Sequence, residues 1–190
     1  MGTTSFYTEE ELAQLGLKSY GKDVMISRKC SIYGAGNISL GNHVRIDDFC
    51  ILSGNITIHD YVHISAYASM FAGESRIEIG DYVAISSRNA IYAESDDYSG
   101  ESMVNPLVPE KCRKVQKGDV FIGKHVIIGT GGTVLPGVTV GEGASVGAMS
   151  LINKDIEPWT VNVGIPCKKV KERSRKLLEY EKYIPDKNIE

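Results

Sequence analysis

Histidine, cysteine and tryptophan are scarce, with four, four and one in 190 residues, and each scarcity excludes something. The cysteines lie far apart: Cys112 and Cys167 form no metal-ligand spacing, and Cys30 and Cys50 read as small buried hydrophobes, not as a disulfide. No apolar run approaches the roughly 18 residues of a membrane span, so no membrane insertion is expected. The N-terminus lacks the basic and apolar regions of a signal peptide, and Phe6 stands where a myristoylation motif requires Ser or Thr. The expected compartment is therefore the cytoplasm. Strong charge of one sign is also missing. With a net charge of −3, 42% apolar and 24% charged residues, the chain reads as one soluble domain over 1–190 with its own core, and nucleic-acid binding has no support.

What the sequence does have is a six-residue beat. Within 122–155 a branched aliphatic residue recurs at every sixth position: Ile122, Ile128, Val134, Val140, Val146 and Ile152, four of them followed directly by Gly. A helix needs apolar spacings of three and four and a strand alternates by two, so this period fits neither. It is the signature of a parallel β-helix, in which each hexapeptide forms one flat side and three make a triangular coil. The fold class is all-β. The aliphatic residue points inward, and the residue after it is expected at the corner, where Gly tolerates the bend.

The register runs back to Ile26, through Ile46, Ile64 and Ile85, with insertions after Ile32 and Met70 at the same corner of successive coils. Ahead of it, Thr8 and Glu11 form a capping box and Tyr7 with Leu12 a hydrophobic staple, which predicts a helical cap within 1–19. The β-helix spans 20–167, interrupted by a loop over 92–121 that is acidic in its first half and basic in its second. A loop this long in a repeat domain is usually functional. Pro158 and Gly164 keep the beat and are expected to close the last coil. From about 168 the spacing predicts a helix, followed by a tail to 190.

The repeat resembles the hexapeptide-repeat acyltransferases, whose coils wind left-handed, and INKDIEPWTVNVGIPCKKV is similar to the closing signature of their galactoside, maltose and xenobiotic group. The resemblance implies a homotrimer, with acetyl-CoA as acyl donor and a hydroxyl of a sugar or saccharide unit as acceptor. An amine of a nucleotide-linked sugar is the alternative, and a non-catalytic scaffold is a second. It further implies that Thr130 and Ala148 meet the pantetheine arm and that Lys154, Lys168 and Lys171 meet coenzyme phosphates. No metal is implied: the histidine spacing of the zinc enzymes with this fold is not reproduced.

One feature of that group is missing. Its long loop carries a histidine that acts as general base, whereas the loop here reads Glu94-Ser95-Asp96-Asp97-Tyr98-Ser99. The proton must then go elsewhere. His63, expected to point outward, is the first candidate because imidazole titrates near neutrality; Asp97 is the second, or the residue that orients His63. Ser65, Tyr67, Asn89, Asp96 and Tyr98 are candidate acceptor contacts. His43 and His125 share one exposed-looking repeat position and carry no expected role.

Overall fold

The computed structural model describes residues 5–184. Seven short strands stack in parallel on the first face, from Met25–Ile26 through Arg45–Ile46, His63–Ile64, Ala84–Ile85, Ile127–Ile128 and Ser145–Val146 to Thr160–Val163. Their register sets Ile26, Ile46, Ile64, Ile85, Ile128 and Val146 in one inward column, none more than 3% exposed. Two further columns follow on the second and third faces, giving the parallel β-helix that the repeat predicts. Full burial of such a side chain stabilises by about 1.5–3 kcal/mol, so the three columns together contribute a large share of the packing energy.

The glycine that follows an inward aliphatic does not make the bend, contrary to the reading of the repeat. The bend falls two residues later, where Tyr61, Tyr82 and His125 hold φ of 58°, 58° and 60°. A Cβ on Gly80, Gly123 or Gly141 would instead lie 2.8, 2.6 or 2.6 Å from a backbone nitrogen of the next coil. Glycine is required there because the neighbouring backbone lies against it. The left-handed corner residues stack into a ladder, His43 on Tyr61, Tyr61 on Tyr82 and Tyr82 on His125, at 4.4, 5.2 and 5.0 Å. His125 is buried in this ladder, not exposed as its repeat position suggests.

The two insertions do share a corner, although a coil without one lies between them, and the second, over 73–76, carries the long loop. Its base is closed by Glu94–Ser95 running antiparallel to Gln116–Lys117. Glu94 accepts hydrogen bonds from the backbone N–H of Glu74 (2.7 Å) and Ser75 (3.3 Å), Lys117 pairs with Glu74, and Asp119 accepts from the N–H of Arg76 at 2.9 Å. The opposite charges of the two loop halves thus anchor it to the preceding coil.

At the N-terminal end, helix Glu9–Gln14 has the predicted capping box. Glu11 also forks to Arg28 at 2.6 and 2.5 Å, fixing the cap to the first coil. The C-terminal end departs from expectation in two ways. Ile156, not Pro158, bridges Val140, and Asn162, not Gly164, stands opposite Val146, because the last side is two residues shorter. After it the chain turns back: Lys168–Glu172 is a strand antiparallel to Thr160–Val163, and only Lys176–Tyr183 is helical, as a 3-10 helix. Arg173 secures this return by donating to the carbonyls of His125, Gly143 and Ala144 at 2.8, 2.9 and 3.2 Å. The tail from 185 lies outside the described residues.

Candidate active site

Coil register brings together residues that the sequence spreads over about sixty positions. Ser87, Thr130 and Ala148 each follow an inward residue of the first face by two, so they form one column along the corner. Thr130 and Ala148 were expected there; Ser87 was not. The Thr130 hydroxyl donates to the Ser87 carbonyl at 2.7 Å and lies 3.0 Å from the Ser87 hydroxyl. Thr130 and Ala148 are exposed, while Gly129 and Gly147 beside them are covered by the next coil, where an added Cβ would lie 2.6 Å from the Ala148 nitrogen and 2.8 Å from the Val163 side chain. The signal for Ser87 was present: Ile85 aligns with Ile128 once the loop is removed.

The three predicted phosphate contacts gather past the last coil. Lys168 and Lys171 sit on the returning strand opposite Val163 and Val161, and Lys154 sits near the end of the second-face column. All three are exposed and form no ion pair among the described residues. Lys169, between two of them, is already held by Glu157 at 2.9 Å and Glu172 at 2.7 Å.

His63 is outward-facing, as predicted, but its partner is not Asp97. Its Nε2 lies 2.8 Å from Oδ2 of Asp47, on the coil before, and Asp47 also accepts from Nε of Arg45 at 2.7 Å. Burial pushes the Asp47 carboxyl up, yet the hydrogen bonds from His63 and Arg45 outweigh it and hold the group below the usual carboxylate range. Asp97 is buried within its own loop. Its carboxylate accepts from the Ser99 hydroxyl and N–H and from the Ser102 N–H and hydroxyl, at 2.7 to 3.1 Å. These bonds, Ser99's first, bring it down to about 2, so it is a permanent anion and a poor base near neutrality.

The loop walls a cleft of about 750 Å³ over the second face, lined by Asp96, Tyr98, Tyr92, Gln116, Thr133 and Asn153 among others. Two predicted acceptor contacts, Asp96 and Tyr98, therefore line one cavity. Ser65 and Tyr67 lie on the corner near His63. Asn89 is a correction: it is 2% exposed, donates to the Ser86 carbonyl at 2.7 Å and accepts from the Gly132 N–H at 2.9 Å. Its amide braces two coils and has no side turned to a ligand. Among the described residues no three His, Cys, Asp or Glu gather as a metal site, and no helix is long and apolar enough to cross a membrane.

A stack of six-residue sides, broken by one looped excursion above an open corner, defines a hexapeptide-repeat β-helix protein. No protein-family model matches the chain. It is 52% identical over 180 residues, 93% of each chain, to a dTDP-4-amino-4,6-dideoxy-D-glucose acyltransferase of Escherichia coli. AntD, an N-acyltransferase from Bacillus cereus solved with dTDP and 3-hydroxybutyryl-CoA, matches with a TM-score of 0.93 at 48% identity, over 95% of this chain and 96% of that one. WbbJ of Escherichia coli K12, assigned to lipopolysaccharide O-acetyl transfer, is 32% identical over 164 residues, 80% of this chain and 81% of its own. The chain belongs to the hexapeptide-repeat acyltransferases.

Proposed function

We propose that the protein transfers an acyl group from acyl-CoA to the amino group of a nucleotide-linked 4-amino sugar. This replaces the sequence-based reading of a hydroxyl acceptor with its alternative. The observation that carries it is the loop: it holds no imidazole, and its buried carboxylate, at about 2, cannot deprotonate a hydroxyl. An amine needs only to arrive neutral, after which it is a competent nucleophile. Identity supports the same choice, since the relative at 52% is an acyltransferase of a dTDP-linked amino sugar, AntD at 48% is an N-acyltransferase, and the O-acetyl relative lies lower, at 32%.

In this reading the amine nitrogen attacks the thioester carbonyl, a C–N bond forms and the C–S bond breaks. The nitrogen gives up a proton and the departing thiolate gains one. His63, with its ring held by Asp47, takes the proton of the arriving ammonium. Asp97 attracts that ammonium, which can displace a serine hydroxyl from its carboxylate. In AntD the substituted residues are a serine and an aspartate ten positions apart, a spacing that Ser87 and Asp97 share. The exposed corner residues Thr130 and Ala148 suit the pantetheine arm, and Lys154, Lys168 and Lys171 suit the coenzyme phosphates. The protein is a homotrimer with its sites between subunits; the half-buried outward residues Ile51, Ala90 and Leu151 of the second face are those that such contact would cover.

The bond type in the product tests the proposal. An amide survives hydroxylamine treatment, whereas an ester is cleaved; a product of dTDP-4-amino-4,6-dideoxyglucose that lost its acyl group to hydroxylamine would overturn it.

A further inference from the structure

Along the corner that follows the first face, the residue three places after each inward aliphatic changes character from coil to coil: Phe49, Tyr67, Arg88, Gly131, Met149. The glycine lies at the proposed thioester end. At the other end Phe49 and Tyr67 hold φ of 61° and 64° and stack with centroids 4.9 Å apart, 23° from parallel. Both rings stay about half exposed, at 47% and 55%. Lys29 lies 5.2 Å over the Phe49 ring, and no ring or cation covers the other face of Tyr67 among the described residues. Arg88, next in the column, is exposed and forms no ion pair among the described residues. The two carboxylates that precede Phe49 in the chain are each balanced by a cation, Asp48 by Lys29 at 2.9 Å and Asp47 by Arg45 at 2.7 Å.

Two half-exposed rings add little to the core and offer a flat apolar surface, the kind on which a nucleobase stacks. A free guanidinium beside it offers a fork to phosphate. We propose that Tyr67, backed by Phe49, stacks the base of a nucleoside diphosphate and that Arg88 holds its phosphates, making this stretch the nucleotide subsite of the acceptor. The inference rests on the nucleotide-sugar reading above and specifies which residues of this chain bind the nucleotide. Tyr67 is two coils from Thr130, roughly 10 Å at the strand spacing, with Ser87 and Arg88 on the coil between. A diphosphate bridges that interval, leaving the sugar amine beside the thioester.

The test is calorimetric titration of dTDP into the full-length protein, paired with steady-state kinetics on dTDP-4-amino-4,6-dideoxyglucose. Tyr67→Ala is expected to weaken dTDP binding by about tenfold or more and to raise the KM of the nucleotide sugar in parallel. The KM of acyl-CoA stays within about twofold, as for loss of uniform acceptor binding. Tyr67→Phe, which keeps the ring, should recover dTDP affinity, and Arg88→Ala should remove the preference for dTDP over thymidine. If the wild type binds dTDP and both alanine variants bind it equally well, the subsite is elsewhere and the acceptor reading stands. If the wild type binds no nucleotide, both the subsite and the acceptor reading fall.

Discussion

The imidazole of His63 and the carboxylate of Asp47 meet at 2.8 Å, Nε2 to Oδ2, across two adjacent coils. The pair faces outward beside the corner that carries Ser87 and Thr130, so one ring nitrogen is fixed and the other is left for a proton from the acceptor.

If His63 takes the ammonium proton, His63→Ala should lower kcat near neutral pH by about a hundredfold, within the usual range for a positioned base. The KM of acyl-CoA should not move. Because the amine also loses its proton unaided in alkali, the deficit should shrink as pH rises past the amine's own pKa. A deficit independent of pH would assign His63 to packing. Full activity in His63→Ala with loss in Asp97→Asn would move the role to the loop carboxylate.

Asp97 makes a prediction of its own. Its folded-state value of about 2 lies below the ordinary aspartate value of about 3.9, so its ordering of the loop is complete above about 4 and is lost as pH falls toward about 2. Hydrogen exchange of residues 97–102 should therefore accelerate across that window before the coils open. Asp97→Asn should show the same fast exchange at pH 7 with little change in the Tm of the β-helix. Unchanged loop exchange in that variant would remove the assignment.

Sequence legibility tracked how directly each feature is encoded. Burial repeats every six residues, so Ile128 and its column announced themselves, and the capping box of Thr8 with Glu11 is local. Ser87 and Asp47 matter through neighbours 43 and 16 positions away, and only the coil register reveals them. The returning strand Lys168–Glu172 is exposed along its whole length and has no apolar period of its own. It is a strand because the last coil presents an open edge. The role of Asn89 is hidden in the sequence because a polar residue at a corner can face inward when it has two backbone partners.

Gly123→Ala tests the stacking reason for the repeat glycine. Its Cβ would sit 2.6 Å from the backbone nitrogen of Glu142, so the coils must part, at a cost of about 1–3 kcal/mol by thermal or denaturant unfolding. Gly137→Ala meets no atom within 4 Å, but its φ of 79° carries a smaller backbone penalty. Equal stability of Gly123→Ala and the wild type would refute close approach as the cause.

Coenzyme recognition separates two neighbouring lysines. Lys168→Glu should raise the KM of acyl-CoA several-fold and flatten its dependence on salt, since a screened phosphate contact has been reversed. Lys169→Ala should do neither, because its ammonium is already occupied by Glu157 and Glu172. Equal effects of the two would place the phosphates away from this strand.

The acceptor's nucleophile is the centre of the account, and one comparison addresses it: release of CoA thiol with dTDP-4-amino-4,6-dideoxyglucose against the same nucleotide sugar bearing a hydroxyl at that carbon. The amine should be preferred in kcat/KM by at least about a hundredfold, because a neutral amine attacks the thioester unaided whereas a hydroxyl must lose its proton as it attacks. Equal or faster turnover of the hydroxyl sugar would contradict it.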